Sequence, residues 1–261
     1  MKLPLSVFVI TLNEESSLDR CLKSLDGLAS EIIVVDSGST DGTKAVAEGF
    51  GANWHDQKWL GMRDQKNAAL ERCGEDWVLN LDADEELSPE LRDEIRAFLS
   101  SSLADSAGGA SFPRKSQFLG RWIKHGDWYP DRKLRLFRRQ AGEFRGDAGH
   151  DHVELREAAV VHRMKSDLLH YSYPTTASFL EKLYSFSDAH LERARANGEE
   201  WSLFGNVFRP WWRFFRGYVL RLGFLDGFPG YWIAKATAFS SFVRHSRLYE
   251  HQQGKERQGE K

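Results

Sequence analysis

The stretch Trp77 to Glu86, WVLNLDADEE, runs from apolar residues straight into carboxylates at Asp82, Asp84, Glu85 and Glu86. An apolar run closed by acids reads as a buried strand that delivers charge to the carboxyl edge of a sheet, the edge where open α/β sheets take their ligands. Asp82-x-Asp84 sets two hard oxygen donors on one side of an extended segment, which suits a Mg²⁺ or Mn²⁺ ion bridging phosphates. A solvated turn is the bland alternative, and the tripeptide alone does not exclude it. Its weight comes from the segments that precede it.

Those segments alternate. Leu5 to Leu12 is a β-rich run closed by Asn13, Glu14 and Glu15, and Ser16 to Leu28 then carries leucines at helical spacing. Glu31 to Asp36 is a continuously apolar strand ending in an acid, and the polar turn Ser37 to Thr43 opens a helix. Ala52 to His55 reads as a short strand, and Met62 to Arg72 as a helix with Arg63, Lys66 and Asn67 on one face. After the strand Trp77 to Leu81, Ser88-Pro89 starts a helix that runs to about Leu99. Such alternation predicts a doubly wound, mainly parallel sheet whose strand ends converge on one cleft.

Ser100 to Gly109 is small and polar and reads as a flexible connection. Beyond it, Ala110 to Phe137 holds strand-like pieces expected to lie antiparallel beside the parallel sheet, and Phe144 to Leu155 packs Asp147, His150, Asp151, His152 and Glu154 closely together. Helices are expected from Thr176 to about Asn197, from Leu203 to Leu222 and from Gly230 to Glu250. The organisation predicted is a nucleotide-binding half over 1–99, an acceptor-binding half of the same catalytic domain over 100–200, and C-terminal helices over 201–261.

At 261 residues the chain is long enough for a sizeable core, and its formal charge of −2 is unevenly spread. From Trp201 onward ten Lys/Arg stand against four Asp/Glu, so the tail is +6 and the rest −8, and fifteen of the 33 aromatics lie in that tail. Trp211, Trp212, Phe214, Phe215 and Tyr218 interleave with Arg209, Arg213, Arg216 and Arg221, the composition of an anchor on anionic lipid. Packing against the catalytic body or a second subunit is the competing reading, and the acidic body argues against nucleic acid. Charges interrupt every run of transmembrane length, and the apolar N-terminus reads as a strand because it lacks a cleavage site. Cys21 falls in an expected helix and Cys73 directly after one, which argues against a disulfide framework and fits a reducing cytosol.

Taken together, ITLNEE (Ile10 to Glu15), VVDSGSTDGT (Val34 to Thr43), RDQKNAAL (Arg63 to Leu70) and LNLDADEEL (Leu79 to Leu87) resemble family 2 glycosyltransferases in order and spacing. The segments YPDRKLRLFRR (Tyr129 to Arg139) and GFLDGFPGYWIAKATAFSSF (Gly223 to Phe242) look more narrowly like the bacterial lipopolysaccharide inner-core β-1,4-glucosyltransferases. The resemblance implies a GT-A fold, a nucleotide-sugar donor such as UDP-glucose, a divalent cation, and inversion at the anomeric carbon. It implies a lipid-linked glycan acceptor, a heptose of the inner core, met at the cytoplasmic surface of the inner membrane. It places Asn13, Glu14, Glu15, Asp36, Arg63, Lys66 and Asp82 around the nucleotide sugar, with Asp84 and Asp82 at the metal.

An inverting transfer also needs a base for the acceptor hydroxyl. His150-Asp151 stands where related sequences have His-Glu, which makes Asp151 the candidate and Asp147 its rival. Arg135 and Arg138 are expected to face the same way on one strand and to clamp phosphate or an anionic acceptor, with an exposed basic face as the alternative. His150-x-His152 as metal ligands and Asp226 as an acceptor contact are weaker readings. Within the same class, transfer to a polyprenyl phosphate or another cell-surface glycan is the alternative. A nucleotidyltransferase would need a glycine-rich loop after the first strand, and a decayed binding module would have lost the acids.

Overall fold

The structure, a computed structural model, describes residues 2–146, 151–156 and 159–258. Elements follow in the order β1 (Leu3–Thr11), α1 (Glu15–Lys23), β2 (Ala29–Asp36), α2 (Thr43–Gly49), β3 (Asn53–Asp56), α3 (Met62–Glu71), β4 (Trp77–Asp82), β5 (Glu85–Leu87), α4 (Pro89–Leu99) and α5 (Leu103–Ser106). They continue with β6 (Ala107–Phe118), β7 (Arg121–Trp122), β8 (Asp131–Arg138), β9 (Gly142–Arg145), β10 (His152–Leu155), β11 (Val160–Arg163) and β12 (Leu168–Tyr173). The chain closes with α6 (Thr176–Ala196), α7 (Leu203–Phe215) and α8 (Gly227–Gln258).

Two compact units result, one of residues 1–115 with 131–171, the other of 116–130 with 172–261. The expected boundary at residue 200 therefore differs from the packing. α6 and the loop 116–130 belong with the C-terminal helices.

In the first unit the strand order β3-β2-β1-β4-β8-β6-β12-β5 begins as a parallel sheet, with β1 paired to both β2 and β4. β8 then pairs antiparallel with β4 and with β6, as the strand-like second half predicts. The sheet is thus mixed: parallel through β4, largely antiparallel beyond. The order reverses between β1 and β4, the switch point at which doubly wound sheets open a ligand crevice. One face is covered by Leu18 and Leu22 of α1 with Leu91 and Ile95 of α4, the other by Ala69 and Leu70 of α3 with Phe144 of β9. Ser88 caps α4 by accepting the Leu91 N–H at 3.1 Å, with Pro89 at the first helical position.

The expected connection Ser100 to Gly109 is instead the short α5 and the start of β6. Gly108 and Gly109 serve close packing: a Cβ would lie 2.4 Å from the Ala159 methyl and 2.8 Å from Leu134 respectively.

In the second unit α7 packs on α8, and Phe118, Ile123 and Ile233 form a small core flanked by Trp128, Tyr173 and Trp232. α7 stops at Phe215, short of the expected Leu222, and continues as a π-helical turn over Arg216–Leu220. Backbones touch here: a Cβ on Gly230 would lie 1.9 Å from the Gly223 carbonyl oxygen. Asp226 is buried and accepts the Lys124 and His125 N–H groups, so it braces a loop where the sequence suggested an acceptor contact. Among the described residues no helix is long and apolar enough to cross a membrane.

Candidate active site

The loops after β1 and β2 are stitched together by their own polar side chains. Asn13 takes a positive φ of 56°, which Asn tolerates better than most residues. Its side-chain oxygen accepts the Thr40 N–H at 2.8 Å, and its own N–H donates to the Ser39 hydroxyl at 2.7 Å. The Glu14 N–H donates to the Thr43 hydroxyl at 2.9 Å, and the Glu15 carboxylate accepts the Gly42 N–H at 2.9 Å.

Asp36, expected to meet base or ribose, is buried at the centre of this knot. Thr11 Oγ1 donates to it at 2.9 Å, the Gly38 and Ser39 N–H groups at 2.8 and 2.7 Å, and the Ser39 hydroxyl fills the remaining acceptor position. A carboxylate offers about four such positions, so Asp36 here builds the loop before it can meet a ligand. Burial by itself would raise its pKa, but the Ser39, Gly38 and Thr11 hydrogen bonds outweigh that and hold it below the usual value.

α3 carries two residues inward. Asn67 donates to the Phe144 carbonyl at 3.0 Å and accepts the Phe144 N–H at 2.8 Å, which fastens β9 to the helix. β9 pairs antiparallel with β10, and Asp151 sits just before β10. Lys66, one residue from Asn67, is only 3% exposed, with its ammonium 2.9 Å from Asp151 and 3.0 Å from Asp82. An exposed helix face is therefore not its setting. Arg63, on the exposed first turn, pairs with its neighbour Asp64 at 2.7 Å.

From Asp82 a line of alternating charge runs along the sheet edge. Arg135 bonds to Asp82 and Asn80, and its guanidinium stands 3.1 Å from Glu85, a carboxylate that is 1% exposed. Arg114 meets Glu85 at 3.2 Å and Asp131 at 2.7 Å. Burial opposes ionisation of Asp82, but Arg135 first and Lys66 second pull its pKa well below the carboxylate range. Burial likewise opposes the charge on Arg135, and Asp82 and Glu85 raise its pKa above the usual arginine value.

Arg138 does not join this line. A spacing of three along a strand turns side chains to opposite faces, so Arg135 and Arg138 part. Arg138 pairs with Asp76, lies over the Trp77 ring and donates to the Ala104 carbonyl at 2.9 Å.

Asp84 faces His170 of β12, carboxylate to imidazole at 3.3 Å. Backbone pairing sets this up: His170 is in register with Glu85, and the Tyr171 N–H donates to the Asp84 carbonyl at 3.0 Å. The Tyr171 hydroxyl donates to Glu86 at 2.7 Å while Arg20 stacks on its ring. The structure thus splits the expected metal pair, Asp82 turning to Lys66 and Arg135, Asp84 to His170. Among the described residues no three His, Cys, Asp or Glu side chains form a metal cage. Asp84 and His170 still fit a hard divalent ion that draws most of its ligands from diphosphate and water, as Mg²⁺ does.

Sequence reasoning missed His170, Glu85 and Arg114 as site residues. His170 had one signal, an imidazole inside the apolar and aromatic strand LLHYSY. Asp147 and His150 lie outside the described residues, so the rival base and the His150-x-His152 reading are not placed.

The model for glycosyl transferase family 2 matches residues 6–161, from β1 through the start of β11. A lipopolysaccharide core biosynthesis glycosyltransferase, LpsC of Rhizobium meliloti, is 31% identical over 255 residues, covering 95% of this chain and 93% of the relative. An uncharacterised glycosyltransferase of Rickettsia felis is also 31% identical, over 94% of this chain and 89% of its own. Among solved structures, the mannosyltransferase PcManGT of Pyrobaculum calidifontis, in complex with GDP-Man and Mn²⁺, matches with a TM-score of 0.58 at 14% identity, over 94% of this chain and 87% of that one, a likeness of fold. With that fold, the acids at its strand ends and these matches, the chain belongs to glycosyl transferase family 2, as a nucleotide-sugar-dependent glycosyltransferase.

Proposed function

We propose that the chain transfers a hexose, glucose from UDP-glucose, with inversion to a heptose of the lipopolysaccharide inner core, on a lipid-linked acceptor at the cytoplasmic surface of the inner membrane. The observation that carries this reading is that the strand-end acids part into two settings, Asp84 beside His170 and Asp82 joined through Lys66 to Asp151, which suits one for the leaving group and the other for the acceptor base. The relative LpsC, matched along nearly its whole length, supports the acceptor class.

A divalent cation held by Asp84 and His170 would neutralise charge developing on the departing nucleoside diphosphate. Lys66 and Arg135, already desolvated and held by Asp82, Asp151 and Glu85, form a fixed charge array that needs no reorganisation during transfer. The Asp151 carboxylate takes the proton of the acceptor hydroxyl as the new glycosidic bond forms and the bond to diphosphate oxygen breaks. Asn13, Glu14, Glu15 and Asp36 would shape the loops against which the nucleoside rests, with Arg63 on the first turn of α3 as a further contact.

Transfer to a polyprenyl phosphate or another cell-surface glycan is the competing reading. The test is nucleoside diphosphate release from a panel of nucleotide sugars with Mn²⁺ or Mg²⁺. UDP release from UDP-glucose that rises with heptose-terminated lipopolysaccharide supports the reading. Stimulation only by polyprenyl phosphate overturns the acceptor, and release only from another donor overturns the sugar.

A further inference from the structure

Between α7 and α8 the chain forms a tight knuckle. The π-helical turn leads into Leu222 at φ 59°, a 3-10 turn over Gly223–Asp226, and Gly227 at φ 65°. Turns ordinarily present polar side chains to water, yet Leu220, Leu222, Phe224, Leu225 and Phe228 are all exposed, Leu225 at 51% and Phe228 at 65%. An apolar cluster of this size on a turn marks a contact surface.

The acids of this region are turned inward. Asp226 is buried against the Lys124 and His125 amides, and Asp127 pairs with Arg216 at 2.9 Å and Arg221 at 3.2 Å. The same contacts, with the Gly126 N–H donating to the Arg221 carbonyl at 2.9 Å, draw the segment 121–126 against the knuckle. Exposed Arg121 and Lys124 thereby stand beside it, and exposed Arg221 lies within it. A side chain at Gly227 would come within 3.3 Å of the Arg121 guanidinium.

We propose that this knuckle docks the chain on an anionic lipid bilayer, its leucines and phenylalanines entering the headgroup boundary while Arg121 and Lys124 meet lipid phosphates. The inference rests on the membrane reading above and gives it residues. A second copy of this chain is the poorer occupant, because a two-fold contact would set these cations against their own counterparts. Of the anchor expected from the sequence along α7, Arg209 turns to His245 at 2.6 Å and Arg216 to Asp127, while Trp211, Trp212 and Arg213 are exposed.

The test is co-sedimentation of the full chain with vesicles of phosphatidylglycerol and phosphatidylethanolamine, against pure phosphatidylcholine. The chain should prefer the anionic vesicles. Leu225→Ser with Phe228→Ser, both at exposed positions, should weaken binding at least tenfold, because two large apolar side chains no longer insert. Arg121→Gln with Lys124→Gln should cost about fivefold per cation on anionic vesicles and leave phosphatidylcholine unchanged. Wild-type affinity in both double variants overturns the proposal, as does an oligomer in solution that the Leu225→Ser/Phe228→Ser variant dissociates. UDP release with a soluble acceptor is measured in parallel. Its retention in these variants separates a failed docking surface from a failed assignment of the reaction.

Discussion

Arg135→Met removes the cation at the centre of the charge line while keeping most of the side chain's volume. Arg135 is 7% exposed and its guanidinium serves Asp82, Glu85 and Asn80 together. Without it, among the described residues, Glu85, at 1% exposure, keeps Arg114 as its cation beside the Asp82 N–H, and Asp82 keeps Lys66. Breaking a buried pair from one side costs about 3–5 kcal/mol, because the surviving charge stays desolvated. In a unit of this size each kcal/mol moves the midpoint by about 2–4 °C, so thermal unfolding followed by circular dichroism should fall by roughly 6–20 °C. Glu85→Gln/Arg135→Met should recover part of this, with a coupling of about 0.5–3 kcal/mol between the sites. A single variant within about 1 kcal/mol of wild type, or strict additivity in the double variant, would refute the reasoning that these charges depend on one another.

Asp84→Ala and His170→Ala should each abolish Mn²⁺-dependent turnover while the unfolding midpoint stays near wild type; a normal metal response in either variant removes that residue from the metal. Asp151→Asn should lower kcat by about 10²- to 10⁴-fold with donor binding retained, read by single-turnover kinetics and UDP titration. Asp36 and Asp82 both have folded pKa values below the usual 3.9 of an unfolded Asp, so the stability they contribute is complete above about pH 4 and is lost as pH falls through their folded values. Asp36→Asn should therefore flatten the acid limb of the stability profile below about pH 4, and an unchanged limb in acid titration would contradict the hydrogen-bonded account of that carboxylate.

Local signals carried the first half of the fold into view. Apolar runs ending in acids, Ser88-Pro89 at a helix start and the polar turn after Asp36 are decided within a few residues, and the structure follows them closely, although α1 ends at Lys23, five residues short of the expected Leu28. The site was harder to read wherever its partners are remote in sequence. Glu85 meets Arg135 and Arg114 across 50 and 29 residues, and Asp84 meets His170 only because β12 pairs with β5. Strand parity, a local rule, separates Arg135 from Arg138, whereas grouping them as two basic residues on one strand hides it. Gly108 and Gly109 resembled a linker because small residues serve both flexible connections and tightly packed strands. Only the approach of Ala159 and Leu134 distinguishes the two.

The decisive measurement is product analysis after incubation with UDP-glucose, Mn²⁺ and heptose-terminated lipopolysaccharide. One hexose should be added per UDP released, attached in the β configuration and absent with Asp84→Ala. An acceptor that gains no hexose from any nucleotide sugar, or a product in the α configuration, would contradict it.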